Sequence, residues 1–125
     1  MTDATEVPTI LSAVDDIFFS SKIESVARLA GVRVVQALDA KQLAERLADT
    51  TPRMVIFDLN SKACAPLEAI RRVKADARLS QMPLVGFFSH VQHDLEVEAR
   101  KAGCDQVMPR SYFSSNLARI LESIK

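Results

Sequence analysis

No segment of this chain is apolar and uncharged over the eighteen or more residues that a membrane-spanning helix needs, so a membrane protein is not expected. There is also no net charge: 16 basic residues stand against 16 acidic ones. No overall field therefore draws the chain to nucleic acid or to anionic lipid, and charge chemistry must come from local pockets. Cysteine is scarce. Cys64 and Cys104 are far apart, with no CxxC and no accompanying His/Cys spacing, which excludes a zinc ribbon or a disulfide scaffold and leaves two reduced, structural thiols. The N-terminus lacks the basic segment, apolar run and small-residue cleavage site of a secretory leader, so a cytoplasmic location is expected. Repeats, linkers and low-complexity tracts are missing as well.

What is present is ordinary globular material. With 125 residues, 48% of them apolar and 26% charged, the chain can close one core without staples. Residues 1–8 read as a short N-terminal extension and residues 9–125 as a single domain.

Thr9 to Val14 reads as a strand that stops at Asp15-Asp16. Ile17 to Ala30 follows as a helix, because Phe19, Ile23, Val26, Ala27 and Ala30 share one face of a 3.6-residue period, and Gly31 ends it. Ser21 and Glu24 fit a capping box inside that stretch, which leaves two readings of its start. Either the regular helix begins there and Ile17-Phe18-Phe19 forms an apolar lip beside the acids, or those residues begin the helix and pack inward. Val32 to Val35 is a second strand, with Arg33 marking an edge. Asp39 and Gln42 cap the next helix, which is expected to bury Ala40, Leu43, Ala44 and Leu47 and to end near Thr50.

Pro52 precedes the most apolar stretch, Met54-Val55-Ile56-Phe57, which runs straight into Asp58-Leu59-Asn60. A buried strand ending on an acid presents that acid at the edge of a sheet. Pro66 suits the first turn of a third helix, whose inner face is Leu67, Ile70 and Val73 while Arg71, Arg72 and Lys74 face water. Pro83 to Phe88 is a fourth strand, apolar throughout, ending at Ser89-His90. Val91, Leu95, Ala99 and Ala102 keep helical spacing up to Gly103. Gln106 to Met108 is a fifth strand that Pro109 confines to a sheet edge, and Arg110 closes it. Leu117, Ile120, Leu121 and Ile124 mark the last helix.

Strands alternating with helices predict an α/β fold, a doubly wound five-stranded parallel sheet with helices on both faces. Edge signals in strands two and five select the order 2-1-3-4-5. Asp15, Asp16, Asp58, Ser89 and Arg110 all fall at C-terminal strand ends, where ligands bind in such sheets. Crowded carboxylates repel one another and are tolerated around a cation, and this oxygen set suits Mg²⁺. A hydroxyl and a cation opposite them make a clamp for a phosphoryl group, with Asp58 as the nucleophile.

Ile10-Leu11-Ser12-Ala13-Val14-Asp15-Asp16, Val55-Ile56-Phe57-Asp58, Ser89 after strand four and Gly103 before strand five together resemble the response-regulator receiver domain, from Ile10 to Ile124. The resemblance implies a flavodoxin-like fold. It implies that Asp15 and Asp16, with Asp58 and the backbone carbonyl of Asn60, hold Mg²⁺. It further implies that Asp58 accepts a phosphoryl group from a phosphohistidine on a sensor histidine kinase or a histidine phosphotransfer protein, that Ser89 moves to hydrogen-bond that group, and that a downstream protein receives the signal. On this reading the chain is a stand-alone receiver. Its only enzymatic steps are phosphorylation and dephosphorylation of itself.

The chain departs from the family in places. Arg110 stands where receivers carry lysine, Ser111 follows it, and the proline lies ahead at Pro109. Arginine is a planar fork where lysine is a point charge. Val107 replaces an aromatic switch residue, and Ser61 to Ala65 lacks the usual proline and glycine. These departures motivate an alternative, a degenerate pseudo-receiver that binds a partner without phosphorylation.

Blander readings stand beside each assignment. Asp15 or Asp16 caps the first helix, Ser89 with Gln92 caps the fourth, and Arg110 only neutralises the acids. His90 and His93 are read as exposed loop residues in the absence of a third metal ligand. Tyr112 and Phe113 anchor the last helix or form a surface beside it. An aspartate-nucleophile phosphatase needs a second carboxylate where Asn60 stands, and a flavin phosphate would meet the acids after strand one.

Overall fold

The computed structural model describes residues 7–89 and 93–125. In chain order its elements are β1 (Thr9–Ala13), α1 (Ile17–Ala30), β2 (Arg33–Ala37), α2 (Ala40–Asp49), β3 (Val55–Asp58), α3 (Pro66–Ala75), β4 (Leu84–Phe88), α4 (His93–Ala102), β5 (Gln106–Pro109) and α5 (Arg110–Glu122). The strands form one parallel sheet in the order β2-β1-β3-β4-β5, as the edge signals predict. Among the described residues, no helix is long and apolar enough to cross a membrane.

Alternation along the strands divides the core in two. Leu11, Ala13, Val55, Phe57 and Leu84 pack against Leu43 and Leu47 of α2, Ile70 and Val73 of α3 and Ala99 of α4. On the other face Ile10, Val14, Ile56, Val85 and Phe87 meet Phe19 and Ile23 of α1 and Phe113, Leu117 and Leu121 of α5. Each such aliphatic or phenyl side chain contributes roughly 1.5–3 kcal/mol on leaving water. β3 has all four residues buried because it lies between β1 and β4 and has helices on both faces. Arg33 and Pro109 are exposed, as their edge positions require.

Local chemistry sets the element ends. Gly31 takes φ +76°, and the Val32 amide donates to Ala27 O at 2.8 Å, closing α1. Asp39 accepts from the Gln42 amide at 2.8 Å while Gln42 Oε1 accepts from the Leu38 amide at 2.9 Å, so the predicted cap of α2 forms. Gly86 leaves room for the side chain that follows Asp58, since a Cβ there would lie 2.9 Å from Leu59 Cδ1.

Several expectations change. α1 starts at Ile17 with Asp16 as its N-cap, so Ser21 and Glu24 lie inside the helix and form no N-terminal box. Of the three residues at its start, Phe19 turns inward, whereas Ile17 is 71% and Phe18 89% exposed. Thus both readings of that stretch hold in part. Ala40 and Ala44 are exposed, because α2 covers only the edge of the sheet with Leu43 and Leu47. Lys74 does not simply face water: it pairs with Asp105 at 3.6 Å and donates to Ser80 O at 3.2 Å. α5 begins at Arg110, well before the periodic residues that mark it in sequence, because Phe113 extends its buried stripe. Both cysteines are buried free thiols, as expected. His90, Val91 and Gln92 lie outside the described residues, and with them one expected loop histidine and the Ser89–Gln92 cap, whereas His93, also expected in a loop, is the first residue of α4.

Candidate functional site

β3 delivers Asp58 to the C-terminal edge of the sheet. Its parity with Ile56 places it toward α1 and α5, and it is only 6% exposed. The backbone turns immediately after it: the Leu59 amide donates to Phe87 O at 2.8 Å and the Ser61 amide to Asp58 O at 3.0 Å. The Asn60 amide donates to Asp58 Oδ1 at 3.0 Å. Burial pushes the Asp58 carboxyl above its ordinary range, the Asn60 hydrogen bond and the Arg110 charge oppose that, and the Asp15 and Asp16 charges add to it.

Asp15 and Asp16 follow β1 on the neighbouring strand. Asp15 is exposed, whereas Asp16 is half-buried and already engaged at both oxygens. Its Oδ1 accepts from the Phe19 amide at 3.2 Å, the helix-capping bond, and its Oδ2 accepts from Arg110 Nη2 at 3.1 Å. The Phe19 bond and then Arg110 hold the Asp16 carboxyl below the usual range. The capping and neutralising readings of Asp16 and Arg110 are therefore both realised.

Arg110 reaches this place as the first residue of α5, directly after the edge strand. Its guanidinium carbon sits 4.0 Å from the centroid of the Phe19 ring. That ring is part of an aromatic stack: Phe19 lies 4.9 Å from Phe87 and 5.9 Å from Phe113, and Phe87 stacks on Phe113 at 4.8 Å. Phe113 thus anchors α5, whereas Tyr112 beside it is 54% exposed.

Ser89 follows β4 and is exposed. Its amide donates to Asn60 Oδ1 at 2.7 Å. Sequence reasoning assigns Asn60 only a carbonyl role, yet its side chain ties the loop after β3 to the loop after β4. Phe19, the platform for Arg110, is read there as a core residue or as part of an apolar lip beside the acids, with no link to Arg110. An Asx side chain two residues past a strand-ending acid was the available signal for the first; the second had none, since ring stacking depends on packing. Val107 is buried on β5 against the α2–α4 face, and its carbonyl accepts from Arg100 Nη2 at 3.1 Å.

The donors fit a hydrated divalent cation only in part. Among the described residues, no three acidic, histidine or cysteine side chains are gathered to hold a metal. Asp58 and Asp15, with the Asn60 carbonyl, are the oxygens left by the pairing of Asp16 with Arg110. Mg²⁺ commonly takes one or two carboxylates and keeps its waters, so this reduced set suits it, and it would relieve the crowding at Asp58.

No protein-family model matches this chain. No curated protein sequence matches it either. Solved structures do. A response regulator from Hahella chejuensis superposes with a TM-score of 0.84 at 14% identity, covering 94% of each chain. Chemotaxis response regulator CheY4 of Vibrio cholerae gives 0.83 at 15% identity, over 96% of this chain and all of that one. The phosphorylated cyanobacterial phytochrome response regulator RcpA gives 0.81 at 18% identity, over 95% and 91%. The fold is that of response-regulator receiver domains, the flavodoxin-like arrangement expected from sequence.

Proposed function

We propose that this chain, folded as a receiver domain, is a phosphoacceptor in two-component signalling, with Asp58 as the residue phosphorylated. The observation that carries the reading is the state of Asp58 itself. It is a nearly buried carboxylate at the switch point of a doubly wound sheet, with Oδ1 held by the Asn60 amide, which orients the carboxylate and leaves Oδ2 to act.

In the transfer, Asp58 Oδ2 attacks the phosphorus of a phosphohistidine in line. An O–P bond forms as the P–N bond breaks, and the electron pair of that bond returns to the imidazole of the donor. Ionised Asp58 is the competent form. Asp15, Asp58 and the Asn60 carbonyl, joined by Asp16 when Arg110 leaves it, would hold Mg²⁺, which when bound supplies positive charge for the phosphoryl oxygens. Arg110 and the Ser89 hydroxyl are assigned to the phosphoryl group after transfer. The donor is a sensor histidine kinase or a histidine phosphotransfer protein, and the product is read by a downstream protein.

Incubation with acetyl phosphate and Mg²⁺ is expected to add one hydroxylamine-labile phosphoryl group per chain, detected by intact mass and abolished in Asp58→Ala. A folded protein that gains no adduct overturns this reading.

One observation favours a second reading. With Arg110 paired to Asp16, the pocket is already partly neutralised, as suits a pseudo-receiver that binds its partner without phosphorylation. Partner binding unchanged in both Asp58→Asn and Asp58→Ala would select it.

A further inference from the structure

α3 and α4 lie side by side on the face of the sheet away from Phe19, and a trough open to solvent runs between them. It consists of two hollows, one of about 400 Å³ beside the loop after β3 and one of about 450 Å³ further along the helices, with Arg71 in the wall of both. Leu67 and Leu95 line the first and Ala102 the second, and all three are only half-buried. On α4, Leu95, Glu98 and Ala102 stand at i, i+3 and i+7, so the lining stripe runs for two turns, about 10 Å.

The rim of this trough is basic. Lys62, Arg71 and Lys101 are exposed around it, and among the described residues none of the three forms an ion pair. Two acids also line it. Glu68 is answered by Arg72 at 3.2 Å, which leaves Glu98 against the three cations.

These features select an occupant. The main chains of α3 and α4 are hydrogen-bonded within each helix, so an extended segment laid between them finds no backbone partners. A helix brings its own backbone bonds and needs only side-chain contact. Apolar side chains one turn apart on such a helix reach the half-buried leucines, and acidic residues flanking them face the cations. Among the described residues, this chain's own helices offer no such face: Phe18 and Leu29 of α1 are three turns apart with Lys22 between them, and Val97 of α4 and Tyr112 of α5 are isolated.

We propose that the α3–α4 trough docks an acidic amphipathic helix of a partner protein, with its apolar side chains over Leu67, Leu95 and Ala102 and its carboxylates toward Lys62, Arg71 and Lys101. The surface does not include the Asp58 side chain, and the proposal stands without the phosphoacceptor reading.

The test uses the full chain and two labelled, helix-stapled synthetic peptides of fourteen residues. Both carry leucine at i, i+3, i+4 and i+7; one has glutamates flanking the leucines and the other lysines. Fluorescence anisotropy is expected to show binding of the glutamate peptide and at least about ten-fold weaker binding of the lysine peptide. Arg71→Glu/Lys101→Glu is expected to weaken the glutamate peptide about ten-fold, since two rim attractions become repulsions, and to strengthen the lysine peptide. Both substitutions are on exposed positions, so circular dichroism is expected to match the wild type. In ¹⁵N spectra the glutamate peptide is expected to shift amides of residues 59–71 and 95–102. Failure of the glutamate peptide to bind overturns the proposal, as does equal binding of the two peptides or shifts centred on another face. Sedimentation of the chain alone provides the remaining check: a dimer that the double variant abolishes gives the trough to a second copy and overturns the partner helix.

Discussion

Asn60 and Ser89 are joined across the mouth of the sheet: the Ser89 amide donates to Asn60 Oδ1 at 2.7 Å, while the Asn60 amide donates to Asp58 at 3.0 Å. One residue therefore touches the candidate phosphoacceptor with its backbone and the loop after β4 with its side chain. A change in charge or bulk at Asp58 has a direct mechanical route to Ser89.

Removing only the side-chain half of that bridge isolates it. Asn60→Ala keeps the amide that meets Asp58 and loses the acceptor for Ser89. Stability is expected to fall by about 1 kcal/mol, the usual net value of one hydrogen bond. Amide exchange at Ser89 is expected to speed up while exchange in β3 stays unchanged. Unaltered exchange at Ser89 would falsify the tether.

Asp58 is a stability cost to this fold. Burial raises its carboxyl pKa, so the native state takes up a proton at a higher pH than the unfolded chain does. A group of that kind is least harmful when protonated, and stability is lost as pH rises from its unfolded pKa through its raised folded one. Asp58→Asn is therefore expected to be more stable than the wild type at pH 7 by about 1–2 kcal/mol, the scale of relieving an imperfectly solvated polar group. The gap should close in acid, where both side chains are neutral. Urea melts across pH measure it, and a gap that widens in acid contradicts the assignment.

Ala65 is the non-glycine residue with positive φ among the described residues, at +46°, and it stands at the N-cap of α3 without a side-chain cap bond. A left-handed conformation costs an L-residue roughly 1–2 kcal/mol, which glycine avoids at some entropic cost in the unfolded chain. Ala65→Gly is expected to raise stability by about 0.5–1 kcal/mol. A thermal melt that moves down contradicts this.

Adjacent aromatics of α5 should behave oppositely. Phe113 is fully buried in the stack beneath Arg110, and its replacement by alanine is expected to cost about 3–5 kcal/mol. Tyr112 is half-exposed, and Tyr112→Ala is expected to stay within about 0.5 kcal/mol of the wild type. Chemical denaturation of the two variants decides the matter; equal costs would place the helix in a different rotation.

The chain by itself determined the layer order and the acids' placement. Apolar runs of four to six residues alternate with 3.6-residue periods, and Arg33 and Pro109 name the edges, so the winding follows from local pattern and handedness. Asp58 was legible because a buried strand that ends on a charge is rare. Element starts were less so: α5 begins at Arg110, ahead of its periodic residues, because Phe113 turns inward, and for α1 the Asp16 capping bond decided between the start at Ile17 and the Ser21–Glu24 box.

Tertiary structure alone decided which charges meet. Asp16 and Arg110 are 94 residues apart and become an ion pair because β1 and β5 deliver the starts of α1 and α5 to one face, where Phe19 supports the guanidinium. Asn60 finds Ser89 because β3 and β4 are neighbours in the sheet. Side-chain partners depend on strand adjacency and packing over distances that no local pattern encodes. For that reason the acids and the arginine could be read from sequence as neighbours in one crevice, and which acid the arginine pairs with was decided only when the sheet closed around them.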